Sequence, residues 1–114
     1  MTARDRNRWA LALAGWLIGP VCWAIATQAG QILPYADCRA QWPWSLPVPL
    51  AGAALSAASA WLAWRSLASR RGGTRRGDAA FALVASLGAM LGLLLALAML
   101  LQAIGPMVLT GCER

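Results

Sequence analysis

Histidine and lysine are absent from the 114 residues, and only four side chains, Asp5, Asp37, Asp78 and Glu113, are acidic. Without an imidazole, haem ligation through histidine is excluded. With so few carboxylates, no constellation of acid–base residue types can be assembled, and the reading is of a chain that is not an enzyme. Charged residues of all kinds make up 12% of the chain against 60% hydrophobic, which is too little polar surface to cover a soluble globule of this length. The composition reads as that of a membrane protein.

What charge there is has a pattern. All ten basic residues are arginine and the net charge is +6, which alone would admit a nucleic-acid partner. A nucleic-acid surface would interleave basic and aromatic residues on a polar face, and no such segment exists. Instead, Arg4, Arg6 and Arg8 precede one apolar run, and Arg65, Arg70, Arg71, Arg75 and Arg76 lie between two others. Arginine clustered beside apolar runs is the footprint of membrane orientation.

Three runs are long enough to matter. Trp9 to Leu33 carries no charge over 25 residues, whereas a hydrocarbon core of about 30 Å needs only about 20 helical residues. An arginine-rich start before an apolar stretch also suggests a secretory signal, but this stretch exceeds a signal's apolar region. Val48 to Trp64 makes a second span, opened by Pro47 and Pro49 where a first helical turn tolerates proline. Ala79 to Gly111 is uncharged for 33 residues, and Gly105-Pro106 predicts a break near its end. The reading is one all-α domain over 1–114, an integral membrane three-helix bundle with helices at about 9–33, 48–68 and 79–106. An arginine-rich cytoplasmic loop at 69–78 joins the last two, and a loop at 34–47 and a tail at 107–114 lie on the other side.

Orientation follows from the arginines, because short loops rich in Arg and Lys stay in the cytoplasm. Eight flank the N-terminus and the 69–78 loop, against Arg39 and Arg114 on the other face. The N-terminus is therefore expected in the cytoplasm and the C-terminus in the periplasm of a bacterial inner membrane. Trp9, Trp61 and Trp64 would mark one interface, and Tyr35, Trp42 and Trp44 the other.

This topology places Cys38 and Cys112 beyond the same membrane face, in an oxidising space for a bacterial host. They are read as a disulfide, worth about 4 to 5 kcal/mol on a chain-entropy basis and less for a chain already held as helices. The alternative is two unpaired thiols. Cys22, inside the first span, reads as a small packing residue.

Small residues at four-residue spacing, Gly88, Gly92 and Ala96, let another backbone approach the third helix closely. Gly52, Ser56 and Ala60 do the same on the second. Internal packing accounts for both stripes, with a partner as the sharper alternative. Trp16, Pro20, Trp23, Thr27 and Gln31 share one face of the first helix, which Pro20 should kink. Thr27, Gln28, Gln31 and Gln102 lie at matching depth and predict an intramembrane polar clamp; a ligand pocket is the other reading. No charge falls inside a span, so nothing suggests ion or proton carriage, and no small-molecule substrate or cofactor is inferred. A copper(I) site would have to draw on Cys38, Cys112 and Met107.

Taken together, GPVCWAIATQAGQILPYADC and the closing AIGPMVLTGC resemble a family of small three-helix bacterial membrane proteins encoded beside haem–copper cytochrome oxidase genes and their assembly factors. The matching positions are Pro20, Trp23, Tyr35, Cys38, Pro106 and Cys112. The resemblance implies a non-catalytic accessory or assembly subunit of a larger membrane complex, with a respiratory oxidase as the favoured host. Trp16, Pro20 and Trp23, with Gly88, Gly92 and Ala96, are the residues expected at partner or helix contacts. The alternatives are a copper or redox assembly factor and a self-associating holin-type pore.

Overall fold

The computed structural model describes residues 2–68, 76–108 and 112, which form three α-helices: α1 (Ala3–Ala40), α2 (Pro47–Ala68) and α3 (Arg76–Val108). Each helix packs on both others. Trp9, Leu67 and Phe81 meet at one end, and Cys38 meets Cys112 at the other. The helices therefore alternate in direction, with Arg4, Arg6, Arg8 and Arg65 at one end and Arg39 with the disulfide at the other.

α1 begins where Thr2 caps it. Its hydroxyl oxygen accepts from the Asp5 N–H at 3.3 Å and donates to the Asp5 carboxylate at 2.7 Å, and Asp5 also suits the positive end of the helix dipole. Thirty-eight residues at about 1.5 Å each give about 57 Å, matching the 61 Å long axis of the molecule. The loop expected from residue 34 is thus helical as far as Ala40. Proline inside a helix costs the bond to the carbonyl four residues back, and for Pro34 that carbonyl belongs to Gly30, where even an added Cβ would find no neighbouring atom within 4 Å. What ends α1 is Gln41, whose left-handed backbone (φ 55°) turns its N–H onto the Asp37 carbonyl at 2.9 Å.

The break expected at Gly105-Pro106 is likewise absent, since α3 passes Pro106 and runs to Val108. Pro20 also sits within the continuous span of α1. α3 starts at Arg76, three residues earlier than expected, with Asp78 in its first turn. The rest of the arginine-rich loop, 69–75, and most of the tail, 109–111 and 113–114, lie outside the described residues.

The interior is made of small side chains. Ala12, Gly15, Gly19 and Ala26 of α1 are buried against Ala53, Ser56, Ala60 and Ala63 of α2 and against Ala85, Gly88, Gly92 and Ala96 of α3. Phe81 and Met99 are the large side chains fully buried among the described residues. The bulky aliphatics point outward instead: Leu17, Ile25 and Ile32 are 60 to 68% exposed, and Leu93, Leu94, Leu97 and Leu101 do the same on α3. That is the reverse of a water-soluble core, where such residues head inward.

Close approach explains the glycines. A Cβ on Gly15 would stand 3.1 Å from the carbonyl carbon and oxygen of Gly88, so α1 and α3 touch backbone to backbone. A Cβ on Gly92 would meet Ala60 Cβ at 3.0 Å and the Ser56 carbonyl at 3.3 Å, which sets the α2–α3 spacing. α1 and α3 are both long and apolar enough to cross a membrane. α2 is shorter, 22 residues, and diluted by serine, glycine and alanine.

Candidate functional site

Thr27, Gln31, Asp37, Ser45 and Gln102 line two clefts toward the disulfide end. Asp37 and Cys38, adjacent on the last turn of α1, fasten that turn to both other helices. Asp37 accepts from the backbone N–H of Trp44 at 2.8 Å and of Ser45 at 3.1 Å, which fixes the turn that launches α2. Cys38 is joined to Cys112, beyond the end of α3, with Cα atoms 6.0 Å apart. The Asp37 carboxyl is held below its usual range, chiefly by the Ser45 hydroxyl. Desolvation opposes this in part, and the Ser45 and Trp44 N–H groups add to the lowering. Sequence reading passed over Asp37 and Ser45. A local Asx turn reaches about two residues along the chain, whereas Asp37 reaches Trp44 and Ser45 across the whole connection, so no short-range pattern pointed to it.

Below this clasp is a cleft of about 300 Å³, lined by Thr27, Gly30 and Gln31 of α1, Ser45 and Pro49 at the start of α2, and Gln102 of α3. It is at the lower end of the range for small-molecule pockets. A second cleft of about 250 Å³, lined by Pro34, Asp37, Trp42, Ser45, Pro106 and Cys112, adjoins it at Ser45. Pro34 and Pro106 have no N–H to give the Gly30 and Gln102 carbonyls four residues earlier, so acceptors as well as amides collect at this depth.

The expected polar clamp is only partly assembled. Thr27, Gln31 and Gln102 share the larger cleft, but Gln28 does not line it and is exposed on another face of α1. The Thr27 hydroxyl donates to the Trp23 carbonyl of its own helix at 2.8 Å, the usual recourse of a mid-helix threonine. Among the described residues, no hydrogen bond joins the three amides. Matching depth was legible in the sequence; rotation about the helix axis was not.

The cross-helix bonds are elsewhere. Ser56, fully buried, donates to the Gly92 carbonyl at 2.8 Å. The Trp16 Nε1–H donates to the Val84 carbonyl at 2.9 Å, and the indole crosses close over Gly88, where an added Cβ would stand 3.0 Å from its Cδ1 and 3.1 Å from its Nε1. Trp16 is therefore committed to α3 along one edge, although 39% of it remains exposed. Trp23, two turns on, is 41% exposed. Pro20 between them is half-buried, and Gly88, Gly92 and Ala96 all face inward. Trp9, expected at a membrane interface, stacks edge-on against Phe81 with ring centroids 5.4 Å apart.

Cys22 is a free thiol, half-buried in an apolar side groove of about 240 Å³ with Ile25, Val48, Ala51, Gly52 and Leu55. Cys38 and Cys112, paired with each other, present no thiolate for a copper(I) ion, so a site with the exposed Met107 requires their prior reduction. No family model, curated protein or solved structure matches this chain.

Proposed function

We propose that the chain is a three-span protein of a bacterial inner membrane, N-terminus cytoplasmic and C-terminus periplasmic, that acts as a non-catalytic accessory or assembly subunit of a larger membrane complex. The observation that carries this reading is the inverted distribution of side chains: alanine, glycine and serine inside, leucine, isoleucine and tryptophan outside. In lipid, helices gain nothing by hiding leucine from hydrocarbon and associate instead through small residues, close backbones and cross-helix hydrogen bonds. The Gly15–Gly88 and Gly92–Ala60 contacts and the Ser56–Gly92 bond are of that kind. Arginine at the end shared by the α1 start and the close of α2, and a disulfide at the other, support the stated orientation.

The accessory role rests on what the bundle leaves uncovered. Trp23, with the outer edge of Trp16, makes an aromatic ledge beside the α1–α3 groove, and rigid aromatics of this sort anchor helix contacts in larger assemblies. The host, a respiratory haem–copper oxidase, rests on the sequence resemblance alone. Gentle detergent extraction followed by identification of co-purifying proteins tests it, and replacing Trp23 with Leu should release the chain from its complex without loss of the disulfide. A wild-type chain extracted alone from native membranes refutes the accessory reading. A reporter active only outside the cytoplasm should work after Arg114 and fail between Gly72 and Gly73; the opposite result overturns the orientation and favours the holin-type pore.

A further inference from the structure

The face of α1 turned away from α2 and α3 carries an amide where lipid is expected. Gln28 is nine residues from buried Gly19, about 180° around the helix, so it points straight away from the bundle. It lies seven residues, about 10 Å, inward of Tyr35, well within the uncharged span. No hydrogen bond from its carboxamide is formed among the described residues, and a primary amide in hydrocarbon without a partner is costly.

The surroundings of Gln28 form a seam. Leu17 and Ala24 are seven residues apart, as are Val21, Gln28 and Tyr35 in turn, and all five are exposed. Two interleaved seven-residue series on one helix describe the contact line of a left-handed helix pair. Ala24, one turn before Gln28, is small enough to let a second backbone come close.

We infer that this seam is the contact between two copies of this chain, packed α1 to α1 about a two-fold axis normal to the membrane. The occupant follows from the chemistry of the seam. A carboxamide both donates and accepts, so Gln28 is completed by the same residue related by two-fold symmetry, each NH₂ donating to the other's carbonyl. Copies inserted with one topology necessarily present parallel α1 helices, which brings each position of the seam opposite itself. No charge interrupts it between Trp9 and Leu33, and Arg6 and Arg39 lie beyond that stretch, where water screens like charges. The dimer seam is separate from the Trp23 ledge, so a dimer leaves the ledge free.

The inference rests on the membrane-spanning reading, and the test separates the two. In a Cys22→Ala background, Ala24→Cys, Leu17→Cys and, as a control on the outer face of α3, Leu97→Cys are each expressed in native membranes and treated with a mild oxidant. Ala24→Cys and Leu17→Cys should yield a disulfide-linked band of twice the chain mass, and Leu97→Cys should not. Adding Gln28→Leu should weaken association by about 3- to 15-fold, read as the dimer fraction against dilution in lipid. Bands no stronger than the Leu97→Cys control, cross-links to a protein of another mass, or a dimer indifferent to Gln28→Leu each overturn the seam. Release of the chain by an alkaline carbonate wash overturns the spanning reading instead.

Discussion

Replacing Gly15 by alanine sets two effects against each other on one helix, and the structure says which prevails. Alanine favours a helix over glycine by up to about 1 kcal/mol, less where the unfolded reference in lipid is already helical. At Gly15, however, the new methyl stands 3.1 Å from both the carbonyl carbon and oxygen of Gly88. Those are backbone atoms of α3, with no flexible side-chain end to swing aside. Relief requires α1 and α3 to separate by a few tenths of an ångström, which also strains the Trp16–Val84 bond at 2.9 Å just beside the crossing. Overpacking of this kind costs about 1 to 3 kcal/mol. The expected outcome for Gly15→Ala is a net loss of about 0 to 3 kcal/mol, which leaves it about 1 to 3 kcal/mol less stable than a helix-interior Gly→Ala change with no such contact. Gly30, on the same helix, has nothing within 4 Å of a new Cβ, so Gly30→Ala should be neutral or slightly stabilising. Reversible unfolding in mixed micelles, with the disulfide intact, measures both. If Gly15→Ala proves as stable as Gly30→Ala, the close α1–α3 crossing is wrong.

Trp16→Phe keeps the ring but removes the Nε1–H, and should cost about 0.5 to 1.5 kcal/mol in the same assay, with Trp23→Phe as the comparison that loses no such bond. Asp37 has its pKa lowered in the folded protein, so the stability it contributes is fully present above the unfolded carboxylate value of about 3.9 and is lost as pH falls through the lower folded value. Acid titration of the wild type should therefore show a loss confined to that acid range, and Asp37→Asn should abolish that part of the dependence while leaving the rest. Cys38 and Cys112 should resist alkylation until a reductant is added, and Cys38→Ser should leave Cys112 reactive; rapid labelling of both in untreated membranes would contradict the pairing.

Much of this arrangement was legible in the sequence, because it follows from composition along the chain. Charge-free runs separated by the proline-bearing 34–47 segment and by an arginine block give three helices, and two cysteines placed beyond the same ends of those runs suggest a pair. Helix ends were less legible, since Pro34 and Pro106 are strong local signals against helix. Their effect depends on whether the backbone four residues earlier has room to adapt, and at Gly30 it does. The face of a helix that meets its neighbours was the hardest to read. Trp16 and Trp23 drew attention as an aromatic stripe, yet the packing face lies beside it, on Ala12, Gly15, Gly19 and Ala26. Those four recur at intervals of three, four and seven, a pattern visible in the chain but one that alanine and glycine present without contrast in so apolar a segment. Where Trp16 goes depended on Gly88, 72 positions away, having no side chain.

The two ends of the bundle are held by different means, and the difference explains where its clefts are. At the arginine end, Phe81 fills the interior and Trp9 and Leu67 close over it, so large apolar side chains do the packing. Toward the disulfide end, Ala26, Ala53 and Met99 fill less space, and beyond them the helices carry Gly30, Pro34 and Pro49, none of which supplies bulk. Beyond Met99 the buried residues are small ones, Ala103 of α3 with Ser45 and Pro49 at the α2 entry. Asp37 and Cys38 supply the ties at the rim, one by hydrogen bonds to the α2 entry and one by a covalent link beyond α3. A rim fastened above this interior leaves a cleft between, lined by Gly30, Gln31 and Gln102 together with Ala26 and Leu33.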